Sequence, residues 1–395
     1  MKVAMIANTD HNLNSGVSGT RLAIADALRN LGVHVDTYFM DDLKVFQGGI
    51  LDKLIFPWRL ASKRSKWRAY DVLDIASGDS WVLSYFHKRP AIVASSHGLE
   101  HLAHEEVLEE NRLGHLKLSN KYFVYWGGYR IWEVSQSIKR ADYSIVLNSQ
   151  DEGFVQHQLD KDLRQVKAVF NGIPDYLLNP PLDEMGMENT SVIRIAQVGS
   201  YIHRKGIMYS TQALGEILAR YPNVEVAFMG TGCEEERVLS DFDAEVRHRV
   251  TVIRSYSHRD LPNLLKGYHI KLFPTLSEGF GKTLIECMAC GLAPVTTDTA
   301  GPGDIVTDGE DGLLIPKRSV AHMVLALEKL INHPELLTKL RYNAYHTAQS
   351  FTWDNAARAR LACYQMAVNY RAQPAQTYGG KRDNHECAID RNGMD

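Results

Sequence analysis

The feature that most limits what this chain can fold into is a recurrence. Near the start, "KVAMIA" reads as a buried strand, followed by the polar, glycine-bearing loop "NTDHNLNSGVSG". A helix then runs through "TRLAIADALRNL", with Leu22, Ala25, Leu28 and Leu31 on one face, Gly32 placed to cap it, and "VHVDTYF" as the next strand. The same order returns much later: strand "IRIAQV", loop "GSYIHRKG", helix "IMYSTQALGEILARY", strand "VEVAFMG". A strand–loop–helix–strand unit opening each half predicts an α/β protein with two doubly wound, Rossmann-like parallel sheets.

At 395 residues the chain has room for two or three domains of about 150 residues each. Residues 1–178 read as the first domain and 179–191, which includes "NPPLDEMGMENTS", as an exposed linker. Residues 192–352 read as the second domain and 353–370, "WDNAARARLACYQMAVNY", as a final helix returning to the first. The polar stretch 371–395 has no apolar period and reads as disordered. A net charge of −3 gives no reason to expect nucleic acid as a partner. No apolar run approaches the roughly 20 residues that span a bilayer, and the short apolar core of "MKVAMIANTD" reads as a strand rather than a signal peptide. Five cysteines in so long a chain form no disulfide framework, which points to the reducing cytoplasm.

Within the second half, "HIKLFPT" is a strand, "KTLIECMAC" a helix closed by Gly291, and "LAPVTT" a strand. The connection is "LSEGFGKTLIECMACG", which carries Glu278 in the turn and Glu286 about one turn into the helix. Ligands of open α/β sheets bind at this strand edge, and the first amides of the helix suit phosphate oxygens. Helical side chains lean toward the N-terminus, so Glu286 reaches a group seated over the loop. The two oxygens of a carboxylate match the two hydroxyls of a ribose or sugar diol.

The E-x7-E arrangement with "EGFG" at its first glutamate resembles the retaining GT-B glycosyltransferases of family 4, the glycosyl transferases group 1. The resemblance runs nearly to the final helix and rests on several motifs: "GVSGT", "SSHGLEH", "VFNGIPD", "RKG" and "AGPGDIVTDGEDGLLIP". It implies a GT-B architecture of two domains facing a cleft, with the donor on the second and the acceptor on the first. It implies a metal-independent, retaining hexosyltransferase that uses an NDP-sugar as co-substrate, with no cofactor and no metal. Glu286 would hold the ribose and Glu278 the donor sugar, while Gly279, Phe280, Gly281, Lys282 and Thr283 would cradle phosphate and sugar oxygens. Arg204 and Lys205 would face the diphosphate, His97 the sugar near its reacting carbon, and Gly16 and Gly19 would form the N-terminal glycine loop. His97, Lys205 and Glu278 are the catalytic candidates. Ser200 stands where many relatives carry arginine, so either one phosphate contact is missing or Arg204 replaces it. Tyr256 and His258 would flank the base of a UDP- or GDP-sugar, and the acceptor would be a sugar, glycan or lipid-linked hydroxyl in polysaccharide or glycolipid synthesis. Two alternatives share the architecture: an NDP-sugar epimerase, and a non-catalytic sugar-nucleotide binding protein.

Other signals are weighed against these. His97, His101 and His104 in "HGLEHLAHEE" suggest a zinc site, but the order is not H-E-x-x-H and a glycine interrupts it. Cys287 and Cys290 form a lone C-x-x-C on a helix and read as packing residues. "DFD" at 241–243 and "DKD" at 160–162 lack a preceding strand and read as solvated faces, and Gly16 and Gly19 do not make a dinucleotide fingerprint. Residues 53–70, "KLIFPWRLASKRSKWRAY", interleave six cations with aromatic residues. They read as aromatics packed on the first domain, or as a peripheral contact with anionic membrane at the inner face. Pro57 is expected to interrupt any single helix there.

Overall fold

The computed structural model describes residues 1–11, 16–43, 50–180 and 191–373. Most of the linker 179–191 and of the stretch 371–395 lies outside the described residues. The first sheet consists of β1 (Lys2–Ile6), β2 (His34–Tyr38), β3 (Val72–Ala76), β4 (Ala91–Ser95), β5 (Tyr143–Val146) and β6 (Val166–Ala168), in the order β2-β1-β3-β4-β5-β6. The second consists of β7 (Ile193–Val198), β8 (Val224–Met229), β9 (Val250–Ile253), β10 (Ile270–Phe273), β11 (Ala293–Thr297) and β12 (Leu313–Ile315), in the order β12-β11-β10-β7-β8-β9. Every pairing is parallel. Parallel sheets need both faces covered, which is why strands such as β4 and β11 are buried along their whole length.

Each sheet reverses its strand order beside its first strand. In the first sheet the loops leaving β1 and β3 diverge, and in the second the loops leaving β7 and β10 do. These switch points are where open α/β sheets hold ligands.

Two local expectations need correction. The first helix is Gly16–Asn30, so Gly16 and Gly19 lie in its first turn rather than in the loop before it. Thr20 Oγ1 donating to Gly16 O at 2.6 Å and Ser18 Oγ to Asp10 O at 2.7 Å anchor this early start. Pro57 does not break the helix, which runs Ile50–Ser62. Proline forfeits one backbone donor there. The helix is held by burial of Phe56, Leu60 and Ala61 and by a buried Arg59–Asp52 ion pair at 2.8 Å.

The last helix, Trp353–Ala372, packs on the first domain, placing Ala357, Cys363, Tyr364 and Ala367 among Val3, Met5, Ile24 and Leu28. The chain therefore crosses between domains twice, and the crossings touch: Ile173 N donates to Phe351 O at 2.9 Å. A Cβ on Gly172 would come within 2.4 Å of Trp353 N, so only glycine permits the contact. The return is fastened at Asp74 on β3, which is fully buried. Its carboxylate accepts from Arg21 Nη1 at 3.2 Å, Arg360 Nη1 at 2.9 Å and Tyr364 Oη at 2.5 Å. Burial alone would raise the Asp74 carboxyl, but Arg21, Arg360, Tyr364 and Ser95 outweigh it and hold the group below its ordinary range. Removing the anion leaves two buried cations uncompensated, so Asp74→Ala is expected to cost about 3–5 kcal/mol. Urea unfolding at neutral pH measures this, and a loss below about 1 kcal/mol would show that the network is not what fastens the last helix.

Candidate active site at the cleft between the domains

The second domain supplies one wall of the cleft from its switch-point loops. After β7 the chain turns through Gly199 (φ +133°) and a short 3-10 turn, His203–Lys205, to Gly206. A Cβ on Gly206 would meet Pro274 O at 1.9 Å, so this loop is fitted tightly against the one leaving β10. Lys205 and Glu278, one from each loop, meet there with Nζ to Oε2 at 2.5 Å. Arg204 donates to Ser277 O at 2.8 Å and reaches Glu278 Oε2 at 3.5 Å. Glu278 thus stands between two cations.

The helix Lys282–Ala289 begins immediately after Gly281, whose φ of +90° suits glycine. Its first amides, at Lys282 and Thr283, precede any intrahelical acceptor and face the loop. Phe280 is buried and stacks on Phe170 with ring centres 6.0 Å apart, which fixes the turn. Glu286 is fully buried, the position that a carboxylate occupies only with partners. Oε1 meets His258 Nε2 at 2.9 Å and Lys282 Nζ at 3.5 Å, while Oε2 has no hydrogen-bond partner among the described residues. His258 is held by Tyr176 Oη at 2.5 Å from Nδ1. Tyr256 lies against Gly230, where a Cβ would be 3.0 Å from its ring. Ser200 is exposed.

The first domain supplies the opposite wall. A cavity of about 220 Å³ opens at the ends of β1, β3 and β4, lined by Asn8, Thr9, Ser77, Asp79, His97 and Glu100 among others. His97 is half-buried at its floor, with Nε2 lacking a hydrogen-bond partner among the described residues. Burial, then the Arg21 and Arg360 cations, push its pKa down to about 3, so the imidazole is neutral at physiological pH. The walls meet at two glycines. A Cβ on Gly279 would lie 2.4 Å from Gly98 Cα and 2.9 Å from His97 O. Asn148 Nδ2 also donates to Gly279 O at 2.7 Å, and Ser149 binds Asp304 through its amide (2.5 Å) and hydroxyl (2.6 Å).

The fold therefore brings His97, Lys205, Arg204, Glu278, Gly279, Phe280 and Gly281 to one place, with Lys282, Thr283 and Glu286 on the adjoining helix. Gly16 and Gly19 open a helix at the cavity's edge, where Val17 lines it. The three histidines of "HGLEHLAHEE" separate instead: His101 Nε2 meets Ser135 Oγ at 2.8 Å and His104 Nδ1 meets Tyr122 Oη at 2.9 Å. Asp241 of "DFD" bonds Tyr201 Oη at 2.6 Å and Arg237 at 2.8 Å.

Several cleft residues escaped the sequence. Arg130 ends a π-helical segment, Tyr125–Arg130, and spans Ser77 O (2.8 Å), Asp79 (3.3 Å) and Glu100 (3.2 Å). Gly78, with φ +92°, leaves room for that guanidinium. Lys271, fully buried in β10, donates to Val198 O at 3.1 Å, and burial lowers its pKa to about 8. A lysine inside "HIKLFPT" was a readable sign; nothing in "YWGGYR" announces a π-helix.

Residues 186–347 match the family model described as glycosyl transferases group 1. Over that region the chain is similar to the glycosyl transferases group 1. It is 27% identical over 242 residues to a D-inositol 3-phosphate glycosyltransferase of Rhodococcus erythropolis, covering 57% of this chain and 54% of the relative. It is 25% identical over 163 residues to the alpha-D-kanosaminyltransferase of Streptomyces kanamyceticus, covering 41% and 42%. The matches thus span about half the length of these relatives or less. Among solved structures, sucrose-phosphate synthase from Thermosynechococcus elongatus superposes with a TM-score of 0.71 at 20% identity, over 93% of this chain and 99% of that one. Anabaena Alr3699/HepE in complex with UDP-glucose gives 0.63 at 16% identity, over 91% and 99%. The fold of this chain is GT-B, in keeping with its two six-stranded parallel sheets.

A neutral His97 has a consequence for stability. Above pH 6.5 neither folded nor unfolded chain protonates it, so it adds no pH dependence. Below pH 6.5 the unfolded chain takes up a proton that the folded chain refuses until about pH 3, so stability falls as pH falls across that window. The slope is about 1.4 kcal/mol per pH unit for such a group. His97→Asn is expected to remove that share and make the dependence of the urea-unfolding free energy between pH 4 and 6 shallower, while His101 and His269, whose pKa values burial lowers to about 4, keep theirs. Parallel profiles for wild type and variant would mean that His97 protonates in the folded state.

Proposed function

We propose that this protein is a retaining, metal-independent glycosyltransferase that moves a hexosyl group from an NDP-sugar to an acceptor hydroxyl. The observation that carries the reading is the meeting of Lys205 and Glu278 at the mouth of the Lys282–Ala289 helix, beside a buried Glu286 with one unpartnered oxygen. Helix amides with Arg204 and Lys205 suit a diphosphate, and Glu286 Oε2 suits a ribose hydroxyl. The named activities of the relatives support transfer, and the UDP-glucose complex of Alr3699/HepE supports a uridine donor. A cytoplasmic setting, where nucleotide sugars are made, fits the same reading.

In the reaction, the acceptor oxygen attacks the anomeric carbon as the bond to the β-phosphate oxygen breaks. The acceptor proton passes to that departing phosphate, giving glycoside and NDP. Attack on the face the phosphate leaves retains configuration. A diphosphate over the helix would draw Lys205 from Glu278 and gain stabilisation as its charge grows. Glu278, freed, would accept from sugar hydroxyls. Neutral His97 would bond a sugar hydroxyl without placing a second positive charge beside an oxocarbenium-like carbon. The close Gly98–Gly279 approach would help keep out water, which otherwise competes as acceptor.

Glu286→Ala is expected to weaken UDP binding about 10- to 100-fold, the loss of a charge-assisted hydrogen bond. Glu278→Ala should leave UDP affinity within about threefold and lower turnover at least tenfold. Calorimetry with UDP and turnover of UDP-glucose, GDP-mannose and other donors in EDTA separate these effects. Wild-type behaviour of both variants would sink the assignment. Donor isomerised without acceptor would favour the epimerase.

A second reading concerns the acceptor's surroundings. Leu51 (66% exposed), Trp58 (56%) and Val124 (74%) are exposed, as are Phe123 and Trp126, and Trp126 lines the cavity with Lys53. Exposed Arg64, Lys66 and Arg68 follow on the same segment, while Phe56 and Trp67 are buried in the domain. We infer that this face meets anionic membrane and presents a lipid-linked acceptor to the cavity. Each cation near such a surface contributes about 1 kcal/mol. The protein should sediment with phosphatidylserine vesicles and be released by salt, and replacing Lys63, Arg64, Lys66 and Arg68 with glutamine should abolish this. Equal recovery in the supernatant with and without vesicles would point to a soluble acceptor.

A further inference from the structure

On the far side of the cleft from the glycine contact, three side chains from separate elements converge. Glu110 lies near the end of the helix Glu100–Arg112 and is almost fully buried. His115 follows through a turn in which Gly114 takes φ +77° and His115 N donates to Glu110 O at 3.0 Å. His203 comes from the other domain, in the turn that carries Lys205. His115 Nδ1 lies 3.1 Å from Glu110 Oε2, and His203 Nε2 contacts the same oxygen. One ligand atom from each lies within 4.8 Å of the others.

We propose that these residues form a site for a divalent transition metal, with Zn²⁺ as the best match, that clamps the two domains together. Two imidazole nitrogens and one carboxylate oxygen are a borderline-soft set that suits zinc better than magnesium or calcium. Bonds of about 2.0–2.1 Å in tetrahedral geometry hold ligand atoms about 3.3 Å apart, close to the His115–Glu110 spacing, whereas His203 Nε2, in direct contact with Oε2, would have to move away from it. Arg318 Nε takes Glu110 Oε1 at 2.6 Å, which orients Oε2 toward the histidines as second-shell donors orient metal ligands. Tyr209 Oη meets His115 Nδ1 at 3.1 Å, a contact that a metal on that nitrogen would replace, and the fourth ligand would be water. Both imidazoles are about 28–29% exposed, so an ion has a path in. Gly206, which ends the His203 turn, is packed closely against Pro274. A metal here would sit outside the Lys205–Glu278 centre and act on cleft opening rather than on bond breaking.

The test is calorimetric titration of Zn²⁺ into the EDTA-stripped, dialysed full chain in a non-chelating buffer. One equivalent should bind with micromolar or tighter affinity. His115→Gln and His203→Gln should each weaken it at least tenfold, although they lie in different domains. A fixed excess of Zn²⁺ should raise the Tm of the wild type by more than that of either variant. No binding, or binding that only one of the substitutions weakens, would overturn the bridging site and leave an ordinary carboxylate–histidine contact.

Discussion

Asp74 is the point on which the arrangement hangs. It is one carboxylate in the middle of a buried strand, and it is tolerable there only because Arg21, Arg360 and Tyr364 close around it. Two of those partners arrive on the last helix, from the other end of the chain. Their capture returns the polypeptide to the first domain, which forces the double crossing at Gly172 and Thr352 and sets where the second domain starts. Burial and then the same two arginines keep the His97 imidazole neutral. A fastening of the scaffold and the protonation state of a cleft residue share one charge cluster.

The cleft is held from both flanks by different physics. On one flank, glycines 98 and 279 permit backbone contact, and Asn148 and Ser149 add directional hydrogen bonds. On the other, Glu106 and Glu110 face Lys317, Arg318 and His203 at the rim, partly open to solvent. Charge pairs of that kind weaken with salt, whereas the packed glycine contact does not. Closure is therefore steered on one flank and sterically fixed on the other.

Much of this was legible in the residues. The two sheets followed from apolar runs spaced by glycine loops, because a parallel strand buried on both faces has no polar alternation to blur it. The two glutamates followed from their places relative to a strand end and a helix start. What could not be read was anything set by distant partners. Glu278 was expected to await a sugar, but its nearest neighbour is Lys205, 73 residues earlier. Arg130 reaches the cavity through a π-helical segment with no local signature. Pro57 argued against a helix that burial of Phe56 and Leu60 sustains. The convergence of His115 and His203 spans 88 residues and two domains, and neither sits in a recognisable spacing.

The return of the last helix also orders events during synthesis. The second domain is continuous in sequence, so all its strands are available once residue 315 has emerged. The first domain is not: its six strands appear before residue 169, but Arg360 and Tyr364 follow nearly two hundred residues later. Until then Asp74 has Arg21 and Ser95 but neither Arg360 nor Tyr364, and the face of the first sheet that the last helix covers lacks that cover. The domain translated first is the one completed last.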